Sequence, residues 1–166
     1  MQNWRRPPAL APFNADYLDG PELALRALPH RGLLLLRCRG DASSISDIVF
    51  QSIGQVLPLV PNTSSIGELS AIWLGPNEWL ICSDPAAAPR INRQLREALS
   101  HYTCLVSDVG DARFGIEVSG IRARSVLAKV CGLDLRSSTF GPGRCAQSLL
   151  VRIPMLLHQI DDVPRL

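Results

Sequence analysis

Val118 to Cys145 reads VSGIRARSVLAKVCGLDLRSSTFGPGRC, and the hydrophobic period changes twice within it. Just upstream, Phe114, Ile116 and Val118 alternate with Arg113, Gly115 and Glu117, the period of two expected of a strand with one buried face. Ser119 and Gly120 break that alternation, and a serine hydroxyl there is suited to accept an orphan N–H at a helix start. Ala123, Leu127 and Val130 then recur at helical spacing, widened by Val126 and Cys131, while Arg122, Ser125 and Lys129 take the opposite side. Gly132 marks a helix end. Phe140-Gly141-Pro142-Gly143-Arg144-Cys145 is a glycine-rich turn leading into another apolar run. The unit is strand, helix, loop, strand.

Working outward, Gly32–Cys38 (GLLLLRC) is apolar without interruption, as a central strand buried on both faces requires. Ser44 with Asp47 forms a capping pattern, and Ile45, Ile48, Val49, Ile53, Val56 and Leu57 give a helical stripe that Pro58 should end. Ser70–Gly75 and Glu78–Ser83 read as strands joined at Pro76-Asn77, with Trp73 and Trp79 as core residues. Ile91, Leu95, Ala98 and Leu99 predict a second helix with Arg90, Arg93 and Arg96 facing water. Thr103–Val109 and Arg113–Ser119 read as strands of a hairpin turning at Gly110-Asp111, where Asp108 and Asp111 would bond local backbone. Cys145–Ile153 and Met155–Ile160 are the last strands. The β-α-β-β-α-β order predicts an α+β domain on a mixed, largely antiparallel sheet with packed helices and a split βαβ start. Residues 1–29, rich in proline, read as an extended arm with a short helical piece at Glu22–Ala27, and 30–166 as a single domain.

Composition narrows the function classes. The chain has 166 residues and a formal net charge of +2, with its arginines scattered, so nothing points to nucleic acid. No segment approaches the roughly 18 consecutive apolar residues of a membrane helix, and Trp4-Arg5-Arg6-Pro7-Pro8 falls where a secretory leader would be apolar. A cytoplasmic location is expected. The five cysteines, Cys38, Cys82, Cys104, Cys131 and Cys145, form no C-x-x-C and lie in apolar segments, so all five are expected reduced in the core.

No catalytic constellation appears. His30, His101 and His158 lie far apart without metal-ligand spacing, and no nucleophile elbow, phosphate loop or dinucleotide fingerprint is present. Gly141-Pro142-Gly143-Arg144 could nest an anion, although the glycines are explained equally by a close approach of loop to strand. Asp161-Asp162 lacks the interleaved oxygens that calcium demands.

Ser119-Gly120, Ala123, Val126-Leu127, Cys131, Leu133-Asp134-Leu135, Phe140 and Pro142-Gly143-Arg144-Cys145-Ala146-Gln147 resemble the gamma subunit of heterotetrameric sarcosine oxidase. Trp73-Leu74-Gly75-Pro76-Asn77-Glu78-Trp79-Leu80 and Val151–His158 extend the likeness in colinear order over roughly residues 30 to 163. More distantly, the pattern is similar to the folate-binding domain of the glycine-cleavage aminomethyltransferase. The resemblance implies a non-catalytic subunit assembled with alpha, beta and delta partners, which carry FAD, FMN, NAD, zinc and tetrahydrofolate. It also implies that the family's closing strand and helix are missing after Leu166, leaving a sheet edge on which the isolated chain self-associates. Arg122, Lys129 and the edge at Leu157 are then the expected interface residues. The alternative is a stand-alone folate-binding or aminomethyl-transfer domain, for which Glu78, Trp79 and Arg144 are the candidate ligand contacts.

Overall fold

The computed structural model describes residues 16–161. Its strands and helices, in chain order, are β1 (Asp16–Asp19), β2 (Ala24–Ala27), β3 (Gly32–Cys38), α1 (Ala42–Ile53), β4 (Ser64–Ile66), β5 (Ser70–Gly75) and β6 (Glu78–Ser83). Then follow α2 (Ala88–Ala98), β7 (Cys104–Asp108), β8 (Ile116–Ser119), α3 (Ala123–Leu127), β9 (Cys145–Leu150) and β10 (Ile153–His158).

The apolar run of β3 lies inside a five-stranded sheet of order β4-β5-β6-β3-β7, antiparallel at every junction. This is the α+β, split βαβ arrangement expected from the element order. Leu34, Leu36 and Cys38 point to the side covered by α1 and α2, where Ile45, Val49, Trp79, Ile91 and Leu95 close the first core. On the sheet's other side Ile72, Leu74, Leu80 and Cys82 meet Cys145 and Leu156 of the β9–β10 hairpin. Burial on both sides is why β3 shows no alternation of polar residues.

A second, smaller core is built from Val118, Ala123, Leu127, Cys131, Leu135, Phe140 and Leu157. It lies against a three-stranded antiparallel sheet of order β1-β2-β8. Here several expectations are corrected. Residues 16–27 are not an arm with a helical piece but strands β1 and β2, with Leu25 opposite Val118. So short a segment cannot sustain an isolated helix, whereas β8 offers it a ladder. Residues 1–15, the rest of the expected arm, and 162–166 lie outside the described residues. No hairpin forms at Gly110-Asp111. β7 pairs with β3 and β8 with β2, and a 3₁₀ turn at Gly110–Ala112 carries the chain between the sheets. The local signal was real, since Asp108 Oδ1 accepts from Gly110 N at 2.9 Å, but turn chemistry does not choose strand partners. Phe114 and Ile116 are exposed, and of that alternating trio only Val118 is buried.

The central helix is also shorter than its stripe. Regular α-helix covers Ala123–Leu127, and single turns extend it to Cys131, whose N–H reaches Leu127 O at 2.9 Å. Ser119 does not cap it but pairs with Ala24 at the end of β8. Gly120 follows with φ +103°, and a Cβ there would lie 2.4 Å from Glu22 O, so the crossing of these two segments admits only glycine. In α1 the cap is Asp41 rather than Ser44. Asp41 Oδ2 accepts from both N and Oγ of Ser44 at 2.8 Å, and these bonds hold its carboxyl below the usual range. The helix ends at Gly54, four residues before Pro58.

The cysteine expectation is corrected too. Cys38 and Cys104 are direct cross-strand neighbours in the β3–β7 ladder, Cα atoms 4.1 Å apart, and form a disulfide. Their separation of 66 residues carries no sequence signal; only the register brings them together. Cys82, Cys131 and Cys145 are free and buried.

Candidate subunit interface

The three ligand-contact candidates occupy separate environments. Trp79 is buried, and its Nε1–H donates to Pro58 O at 2.9 Å, so neither ring face nor N–H is offered to a ligand. Glu78 Oε2 lies 3.4 Å from Arg37 Nε on the neighbouring strand. Arg144 sits at the entry to β9, in a loop whose N–H groups are already used: Gly143 N donates to Gln159 O at 2.8 Å, Arg144 N to Gly141 O at 3.1 Å, and Cys145 N to Asn62 O at 3.0 Å. The anion nest is therefore closed. The glycines serve the approach of loop to strand, with Gly143 at φ +73° and its carbonyl accepting from Ser64 N at 2.8 Å. Among the described residues no group of three His, Cys, Asp or Glu side chains could hold a metal ion. A shallow cleft of about 160 Å³ lined by Arg96, Leu99, Tyr102 and Cys104 is smaller than the roughly 300 Å³ at which small-molecule sites begin.

What the sequence reading missed is a polar clamp at the edge of the second core. Arg124 Nη1 donates to Leu135 O at 2.5 Å and Phe140 O at 2.8 Å, and Nη2 to Gln159 Oε1 at 2.7 Å. Gln159 is fully buried and passes the chain on through Nε2 to Asp161 O at 2.9 Å. One guanidinium thus ties α3, the 135–140 loop and the segment after β10 together, using its planar fork of donors. The available signal was Gln159 itself, a polar residue closing an apolar strand pair. His158 beside it bonds Ser64 Oγ through Nε2 at 2.8 Å, and burial pushes its pKa below the ordinary 6.5.

The expected interface residues fall in different places. Arg122 is exposed and pairs loosely with Glu22 at 3.4 Å, each side chain 61% exposed, a geometry in which ion pairs add little. Lys129 is exposed on the turn after α3. The Leu157 side chain is buried in the chain's own second core, although its strand β10 pairs with β9 alone and is an edge of that two-stranded sheet. The hairpin it belongs to is sandwiched. Cys145 and Leu156 face the large sheet, and Ala146, Leu150, Met155 and Leu157 face the second core.

Residues 39–163 match the model of the sarcosine oxidase gamma subunit family. The chain belongs to that family. Among its relatives, the gamma subunits of sarcosine oxidase from Corynebacterium sp. strain P-1 and strain U-96 are 30% and 31% identical, over 74% and 85% of this chain. A gamma subunit from Arthrobacter sp. is 32% identical over 68% of it. The matched stretches span 59%, 63% and 51% of those relatives' own lengths. The structure superposes on a chain of the heterotetrameric sarcosine oxidase from Corynebacterium sp. U-96, solved with pyrrole 2-carboxylate, with TM-score 0.83 and 26% identity. That match covers 98% of this chain and 88% of the other. The aminomethyltransferase T of the glycine cleavage system from Bartonella henselae shares the fold, with TM-score 0.55 and 16% identity over 75% of this chain and 35% of that one. Among the described residues no helix is long and apolar enough to cross a membrane.

Proposed function

We propose that this chain is the non-catalytic gamma subunit of a cytoplasmic heterotetrameric sarcosine oxidase and supports its assembly with alpha, beta and delta subunits. The complex demethylates sarcosine to glycine with oxygen, forms hydrogen peroxide and passes the one-carbon unit to tetrahydrofolate. FAD, FMN, NAD, zinc and tetrahydrofolate belong to the partners. The observation that carries this reading is the family match over residues 39–163, joined to a superposition that takes in nearly the whole chain. A structural role for these residues is in keeping with the reading: Trp79 is buried and bonded to Pro58 O, Glu78 lies 3.4 Å from Arg37, and the N–H groups of Gly143, Arg144 and Cys145 are bonded within the chain. Likeness to the aminomethyltransferase is likeness of fold, and a fold does not carry its site.

The test is co-purification of the tagged chain from its native host. Recovery of yellow, flavin-containing partners with sarcosine-dependent peroxide formation is expected. Recovery of the chain alone, with folate binding by titration, would replace this reading by a free-standing folate-type domain.

A further inference from the structure

The β9–β10 hairpin is well covered at its base and bare at its tip. Leu157 is 6% exposed, whereas Leu149, Val151 and Ile153 are 53%, 70% and 68% exposed. Val151 N donates to Val130 O at 2.7 Å, which sets the exposed Val130 beside the tip. Leu150 and Ile153 are paired, so Val151 and Arg152 form a two-residue turn, and Val151 has φ +58°. A β-branched residue at positive φ is strained where glycine would not be, and a two-residue turn with positive φ at its first position alone calls for glycine there. An apolar, strained residue at the exposed tip of a hairpin gains nothing for the isolated fold, and such outliers cluster at functional positions.

We infer that this tip is the plug by which the chain docks onto another subunit of its assembly, entering an apolar depression rimmed by carboxylates; the inference rests on the subunit reading above. The charge pattern selects this occupant. Lys129 and Arg152 flank the apolar residues, both exposed, and among the described residues neither is in an ion pair. Residues 121–133 and 144–160 contain no aspartate or glutamate. A second copy of this chain meeting the tip about a two-fold axis would set these cations against their own counterparts. A partner with acidic rim groups around an apolar pocket satisfies both features, with the rim governing encounter and the centre governing residence.

The test co-expresses variants of the full chain with the partner chains recovered by co-purification, and measures their affinity for the assembly. Val151→Gly with Ile153→Asn removes the apolar plug while glycine accepts the positive φ of the turn. Affinity is expected to fall at least about tenfold. Lys129→Glu with Arg152→Glu is expected to weaken binding at low salt and to abolish the salt dependence of the wild type. Phe50→Asn, on α1 at the opposite side of the large sheet, is the control and should assemble like the wild type. If the wild type assembles and the plug variant binds within twofold of it, or Phe50→Asn is equally impaired, the plug is refuted and the subunit reading stands. A wild-type chain that enters no assembly refutes both. A homodimer of the isolated chain that the plug variant dissolves refutes the acidic partner in favour of a second copy.

Discussion

Replacing Arg124 by methionine tests whether the second core is held by its polar clamp. Methionine preserves most of the aliphatic stem, so the change isolates the hydrogen bonds to Leu135 O, Phe140 O and Gln159 Oε1. A bond to a charged group contributes about 1.5–3 kcal/mol, and a buried acceptor left without a donor costs about 1–3 kcal/mol. Three such terms do not add in full, because Arg124 is only partly buried and water can reach some of the vacated acceptors. Gln159, fully buried, has no such relief. The expected loss is about 3–4 kcal/mol, a large effect for a single residue. At about 2–4 °C per kcal/mol for a chain of this size, the melting temperature should fall by on the order of 10 °C. Urea unfolding followed by far-ultraviolet circular dichroism gives the free energy directly. Gln159→Met and the double variant complete a cycle in which a coupling of about 1–2 kcal/mol is expected. A loss below about 1 kcal/mol for Arg124→Met, or strict additivity with Gln159→Met, would refute the clamp as an organising contact.

Trp79→Phe should cost about 2 kcal/mol or more in the same unfolding assay, because it orphans Pro58 O and leaves a void in the first core. A neutral result would place the indole outside the core. Thiol counting with a disulfide-exchange reagent at pH 8 should find no rapidly reacting cysteine in the native chain, three after denaturation and five after denaturation with reduction. Burial pushes the Cys145 thiol up to about 11 and raises Cys82 as well, which suppresses their thiolates; five thiols without reductant would contradict the Cys38–Cys104 bridge. His158 has a folded-state pKa below its unfolded 6.5, so the unfolded chain binds the proton first. Its contribution is fully present above pH 6.5 and is lost as pH falls through the lower folded value, and His158→Gln should flatten stability across that window.

The elements that could be read directly are those whose burial is fixed by their own sequence. GLLLLRC had to be a central strand, the Ile45–Ile53 stripe had to be a helix, and Pro76-Asn77 between two tryptophan-bearing runs had to be a turn. Of these, only the Pro76-Asn77 turn with its flanking tryptophans also carried the family likeness. Sequence misjudged the elements whose state depends on a partner distant in the chain. Glu22–Ala27 became strand because β8 was there to receive it, and the expected hairpin at Gly110-Asp111 divided because β3 and β2 each claimed one arm. The interface candidates divided in the same way, since exposure is a property of packing: Leu157 went inside, while Val151, in an equally apolar stretch, stayed out.

By itself, then, the sequence determined the α+β class, the split βαβ order and the membership of the family, because hydrophobic period and turn chemistry are local quantities. Only the tertiary structure decided the Cys38–Cys104 bridge, the Arg124–Gln159 clamp and the bare hairpin tip. Each depends on register and on which surfaces meet, and long-range pairing has no period to read along the chain.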